Sequence, residues 1–123
     1  MVSTSRAKRI GQRIQQELAE LLQKEVADPR LAMVTITDVD VDRELAFATI
    51  FVSSLGEDDR KDDVLRALHR ARGFLRSALA ARISLRTFPQ LRFRWDATPA
   101  RGERIEELLR EIHREDSSPE SEA

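Results

Sequence analysis

The chain has 123 residues, a formal net charge of −1 and no cysteine. That length holds one compact domain, burying about 65% of its unfolded surface, with room for a tail. Without cysteine there is no disulfide scaffold, thiolate metal site or thiol nucleophile. No stretch approaches the roughly 20 apolar residues of a membrane span. The N-terminus lacks the apolar run of a signal peptide, so a cytoplasmic protein is expected.

Ile10, Ile14, Leu18, Leu21, Leu22 and Val26 recur at helical spacing between Ser5 and Val26. Ser3, Thr4 or Ser5 is placed to cap this helix. Asp28-Pro29 ends it, because the residue before proline is driven out of the helical region. Val34-Thr35-Ile36-Thr37 alternates apolar and polar, and Val39-Asp40-Val41 alternates in the opposite phase. The slip predicts a bulge at Thr37-Asp38. A turn at Asp42-Arg43-Glu44 leads into a second strand, Leu45 to Ser53, completing a hairpin.

Val64, Leu65, Leu68, Ala71, Leu75, Ala78, Leu79 and Ile83 return to helical spacing. Asp62 or Asp63 is the expected cap, and Gly73 interrupts the pattern. Leu91-Arg92-Phe93-Arg94-Trp95-Asp96 reads as a strand, with Leu91, Phe93 and Trp95 inward. Ile105, Leu108, Leu109 and Ile112 form a further amphipathic pattern, and the last residues are acidic. The expected organisation is a small α+β domain over residues 1–113, followed by a disordered acidic tail over residues 114–123.

Charge is unevenly spread. Residues 64–95 hold Arg66, Arg70, Arg72, Arg76, Arg82, Arg86, Arg92 and Arg94 and no acid. Residues 1–16 hold Arg6, Lys8, Arg9 and Arg13, again with no acid. A merely solvated helix gains from opposite charges four apart, whereas Arg66/Arg70, Arg72/Arg76 and Arg82/Arg86 are like-charge pairs. An anionic partner reverses that cost, because arginines that neutralise phosphates release condensed counterions. These basic residues are the candidate nucleic-acid contacts. Phe93 and Trp95 read as core, which favours recognition of backbone and shape in structured RNA over base-by-base reading. An Arg-rich face for an acidic partner protein accounts for the same pairs and stays open as the alternative.

The order α-β-β-α-α-β, with a break between consecutive helices, resembles a type II KH domain. The usual Gly-x-x-Gly loop is absent, and Ala71-Arg72-Gly73 stands at the break. With Asp28-Pro29-Arg30-Leu31, Val34 to Val39, Gly73-Phe74-Leu75-Arg76 and Pro89 to Phe93, the chain resembles the ribosome-binding factor A family over roughly residues 4–113. The resemblance implies a variant type II KH fold kinked at Ala71-Arg72-Gly73, with Gly73 part of the RNA-binding surface. It implies a monomeric, non-catalytic assembly factor without cofactor. Its partners would be the free 30S subunit and the 5′-terminal helix region of 16S rRNA. Its role would be late 30S maturation and 16S rRNA processing, above all in the cold.

Catalytic chemistry finds no foothold. His69 and His113 lack partners at metal-ligand spacing, and the arginines around His69 disfavour imidazolium and metal alike. Asp38, Asp40 and Asp42 read as a solvated or Arg-paired edge; a metal-dependent nuclease is the competing reading. No P-loop, dinucleotide fingerprint or nucleophile elbow occurs. No catalytic residue and no metal ligand is assigned.

Overall fold

Ser3 starts helix α1, Thr4–Lys24, in the computed structural model, which describes residues 1–26, 28–31, 33–54 and 60–96. The Ser3 hydroxyl accepts the Arg6 N–H at 3.1 Å and so satisfies one of the orphan donors of the first turn. The predicted stripe is buried: Ile14, Leu18 and Leu21 are inaccessible to solvent. Gly11 is buried too, and a Cβ there would lie 2.8 Å from the Val39 carbonyl. That close approach sets how deeply α1 sits on the sheet. After α1, Asp28 accepts the Arg30 N–H and Nε–H at one oxygen, both at 3.0 Å, and clamps a single 3-10 turn over Pro29–Leu31.

Strand β1, Val34–Val41, carries the bulge that the phase slip predicts. Ile36 pairs with Val52 and Asp38 with Phe51, so Thr37 is the extra residue. Two side chains hold it in place. Gln15 of α1 donates to the Ile36 carbonyl at 3.0 Å. The Thr37 hydroxyl meets the Asp96 carboxylate at 2.6 Å, across the middle strand. The bulge restores the inward phase, and Ile36, Val39 and Val41 all reach the core.

Strand β2 is Phe47–Ser54 and pairs antiparallel with β1. It starts two residues later than expected. Leu45 takes φ 57°, the left-handed region, and donates to the Asp42 carbonyl at 3.0 Å. The Asp42 carboxylate accepts the Phe47 N–H at 2.8 Å, so the turn closes over residues 43–46.

Helix α2, Lys61–Arg82, departs from expectation at three points. Its N-cap is Arg60, with no side-chain cap bond, and Asp62 and Asp63 lie in the first turn, where they favour the positive end of the dipole. No break divides it: Ala71-Arg72-Gly73 lies inside one hydrogen-bonded helix. A glycine costs a helix about 1 kcal/mol, while Val64, Leu68, Leu75 and Leu79 are fully buried along the other face. Packing overrides propensity, and the expected two helices are one. Finally, Ile83 is extended, so Arg86 lies beyond the helix and Arg82/Arg86 is not a helical pair.

Strand β3, Gln90–Trp95, pairs parallel with β2, and the sheet order is β1-β2-β3. Helix α1 packs over β1 and α2 over β3, and the helices touch each other. The inward residues of all three strands join both helices in a single core. The helix expected around Ile105 to Ile112 and the tail over residues 114–123 lie outside the described residues.

Candidate nucleic-acid interface

The alternation of β3 sends Arg92 and Arg94 outward while Leu91 packs into the core. On α2, burying Leu68, Leu75 and Leu79 leaves Leu65, His69 and Arg72 on the side towards β3. Between the two elements runs an open groove of about 570 Å³. Arg66, Arg70, Arg72, Arg92 and Arg94 line it with His69, over an apolar floor of Leu65, Leu91 and Phe93, and Asp62 is the one acid among the described lining residues. Five arginines from two elements some 20 residues apart in sequence thus line one cleft. Arg94 also donates to the Phe93 carbonyl at 3.2 Å.

The other sequence-predicted contacts sit elsewhere. Arg76 turns away from the groove and donates to the carbonyls of Phe88 at 2.7 Å and Pro89 at 3.2 Å. Arg82 meets three acids of α1 and its cap: Glu17 at 3.2 Å, Glu20 at 3.9 Å and Glu25 at 2.6 Å. The Glu17 hydrogen bond, followed by the charges of Glu25, Glu17 and Glu20, holds its guanidinium above the ordinary arginine range. Arg86 is exposed in the segment between α2 and β3. Gly73 is exposed, with nothing within 4 Å of where a Cβ would be.

Arg6, Lys8 and Arg9 are exposed on α1, and Arg13 bridges Glu17 at 3.3 Å. None of the four lines the groove. The α1 surface that reaches α2 is the acidic one, Glu17, Glu20 and Glu25 around Arg82. The N-terminal cluster and the groove are therefore separate basic surfaces.

His69 lines the groove among the arginines that its place in the sequence indicates. One group escaped the sequence reading. Phe47 is 39% exposed, and the Arg92 guanidinium lies 3.6 Å from its ring centroid. The signal for Phe47 was available: the second strand is apolar on both faces, so some of its large side chains must point out. The acidic edge takes part in turn and bulge geometry. Asp38 accepts the Val39 N–H at 2.9 Å, and Asp42 accepts that of Phe47. Among the described residues no three His, Cys, Asp or Glu side chains converge on a possible metal position.

On the open sheet face, cross-strand partners run from acid to base. Asp40 pairs with Thr49 and Thr49 with Arg92; Asp38 pairs with Phe51 and Phe51 with Arg94. The near-neutral total therefore hides a domain with an acidic edge at β1 and a basic edge at β3.

Comparison with known proteins agrees with this architecture. A family profile described as Ribosome-binding factor A matches residues 6–109. A Chromohalobacter salexigens ribosome-binding factor A is 48% identical over 113 residues, covering 90% of this chain and 86% of that one. The crystal structure of ribosome-binding factor A from Thermus thermophilus superposes with a TM-score of 0.64 at 30% identity, over 72% of this chain and 93% of the other. A homology model of the Thermus thermophilus factor, fitted into the cryo-EM map of a complex of 30S with ribosome-binding factor A, gives a TM-score of 0.62 at 30% identity, over 74% and 96%.

Proposed function

The chain belongs to the ribosome-binding factor A family, and from that membership we propose that its arginine groove holds RNA of the small ribosomal subunit. The observation that carries the reading is the convergence of Arg66, Arg70, Arg72, Arg92 and Arg94 on one cleft with a single acid among the described residues. Guanidinium groups spaced along a helix and a strand suit a phosphate backbone. Each offers a planar fork of donors, and each neutralised phosphate releases counterions. The 30S complex into which the Thermus thermophilus relative is fitted supports the small subunit as the partner.

On this reading the protein is a monomeric, cytoplasmic, non-catalytic assembly factor. It binds free 30S subunits near the 5′-terminal helix of 16S rRNA and supports late maturation and processing of that RNA. Cold raises the demand, because misfolded RNA escapes its traps slowly at low temperature. Residues 1–113 form the working domain. The groove is the principal contact, Gly73 leaves the exposed side of α2 open to a close backbone approach, and the Arg6 to Arg13 cluster with Arg86 supplies secondary contacts. Arg76 and Arg82 act indirectly, by holding the scaffold.

Sedimentation of tagged protein with separated 30S, 50S and 70S fractions tests this. The parent chain is expected on free 30S. The double reversal Arg72→Glu with Arg94→Glu is expected to leave the 30S fraction, and Arg6→Glu with Arg9→Glu to remain largely on it. Unchanged association of the groove double variant would overturn the assignment.

A further inference from the structure

Phe47 and Arg92 belong to neighbouring strands and face the open side of the sheet, away from both helices. A phenylalanine that is 39% exposed at the start of a strand costs solubility and adds nothing to the core. Here it has a partner. The Arg92 guanidinium carbon lies 3.6 Å from the ring centroid, within van der Waals contact of its face. A long arginine side chain on a strand otherwise samples many rotamers. Held on the ring, its guanidinium is fixed over the sheet with its far side towards solvent.

Arg92 also lines the groove. The side chain therefore stands where the groove wall passes over the β3 edge onto the open face. Arg94 follows it along the same face, with Thr49 and Phe51 as the two residues' cross-strand partners. A chain whose phosphates lie along the groove has a basic path over this edge. At the crossing it meets a planar cation rather than a mobile one.

We propose that the Phe47–Arg92 pair is a stacking site for an unpaired nucleobase of RNA held in the groove, with the base on the solvent side of the guanidinium and Phe47 as its backing. The inference rests on the groove being an RNA site and adds the form of RNA: a strand that is unpaired at this point. Duplex RNA keeps its bases inside and offers this site nothing, whereas a splayed base stacks readily on an arginine plane.

The test uses the full chain and an RNA of about a dozen nucleotides, either single-stranded with one 2-aminopurine or annealed into a duplex. Two variants leave the charge unchanged: Phe47→Leu removes the aromatic backing, and Arg92→Lys removes the plane while keeping the cation. Each is expected to weaken single-strand binding about tenfold and to abolish the change in 2-aminopurine fluorescence that binding to the parent chain produces. Phe47→Leu, outside the groove lining, is expected to leave duplex affinity and the salt slope unchanged. Phe47→Tyr is expected to restore both single-strand readouts, which guards against a folding defect.

Parental affinity and a parental fluorescence change in Phe47→Leu would overturn the stacking site. If Arg72→Glu with Arg94→Glu still abolishes RNA binding in that case, the groove reading survives and only the stacking site falls. Binding of neither RNA form by the parent chain would remove the groove reading itself. Equal competition by polyglutamate of matched charge would overturn both in favour of an acidic protein partner.

Discussion

Arg76 donates to the Phe88 main-chain carbonyl at 2.7 Å, and its Nε reaches the next carbonyl, that of Pro89, at 3.2 Å. One guanidinium thereby ties the middle of α2 to the segment that delivers the chain into β3. Sequence spacing pairs Arg76 with Arg72, yet the two perform different tasks. Arg72→Glu is expected to leave stability nearly unchanged and to weaken RNA binding. Arg76→Ala strands two carbonyls and is expected to cost about 1.5–3 kcal/mol, the range for hydrogen bonds to a charged group. Urea denaturation beside a binding titration separates the two. A stability loss at Arg72 matching that at Arg76 would contradict the division.

The two described glycines make opposite predictions. At Gly11 a Cβ would meet the Val39 carbonyl at 2.8 Å, and neither the strand nor α1 yields without disturbing the core. Gly11→Ala is expected to destabilise by about 1–3 kcal/mol, as overpacking does. At Gly73 a Cβ meets nothing within 4 Å. Gly73→Ala is expected to stabilise by up to about 1 kcal/mol through helix propensity and the narrower unfolded state. If Gly73 serves the approach of an RNA backbone, the same variant binds RNA more weakly while melting later. Thermal melts of both variants, with a titration of the second, decide this.

These contrasts show which features were legible beforehand. The bulge at Thr37 was, because a period-2 pattern cannot change phase inside a paired strand without an extra residue. The division of α2 at Gly73 was misjudged, because a local glycine cost of about 1 kcal/mol is small beside four fully buried aliphatic side chains. The roles of Arg76 and Arg82 were hidden, because their partners lie 12 or more residues away and are set by how α2 crosses α1 and meets β3. The Phe47–Arg92 stack was hidden for the same kind of reason. It depends on the parallel register of β2 and β3, which no local pattern encodes.

Acid destabilisation should come from the carboxylates that neighbouring cations hold down, because these are the groups whose pKa differs between the folded and unfolded chain. The hydrogen bond from Arg30 lowers the Asp28 pKa, with help from the Arg30 backbone N–H and from Arg70. The hydrogen bond from Lys24 lowers that of Glu20. A carboxylate with a depressed folded-state pKa contributes stability above its unfolded value, and that contribution disappears as pH falls through the folded value. Melting temperature should therefore hold from neutrality to about pH 4 and fall below it. Asp28→Asn is expected to lower the melting point at pH 7 and to flatten the acid limb. An acid limb of unchanged steepness in Asp28→Asn would assign the loss to other groups.

Salt dependence distinguishes the arginines that face a ligand from those already neutralised within the protein. Each phosphate contact adds about 0.7 to 0.9 to the magnitude of the slope of log affinity against log salt. With five groove arginines engaged, the slope should lie between about −3.5 and −4.5. Arg72→Ala removes one contact and should reduce its magnitude by a little under one. Arg82→Ala should leave the slope unchanged, because Glu17, Glu20 and Glu25 already surround that guanidinium and it neutralises no phosphate. Arg82→Ala exposes α1 acids to one another instead, so it should lower the melting temperature. Both arginines stand in the same acid-free run of sequence, and only the fold separates their effects. A slope that drops equally for both would place Arg82 in contact with RNA and require the Glu17 bridge to open on binding.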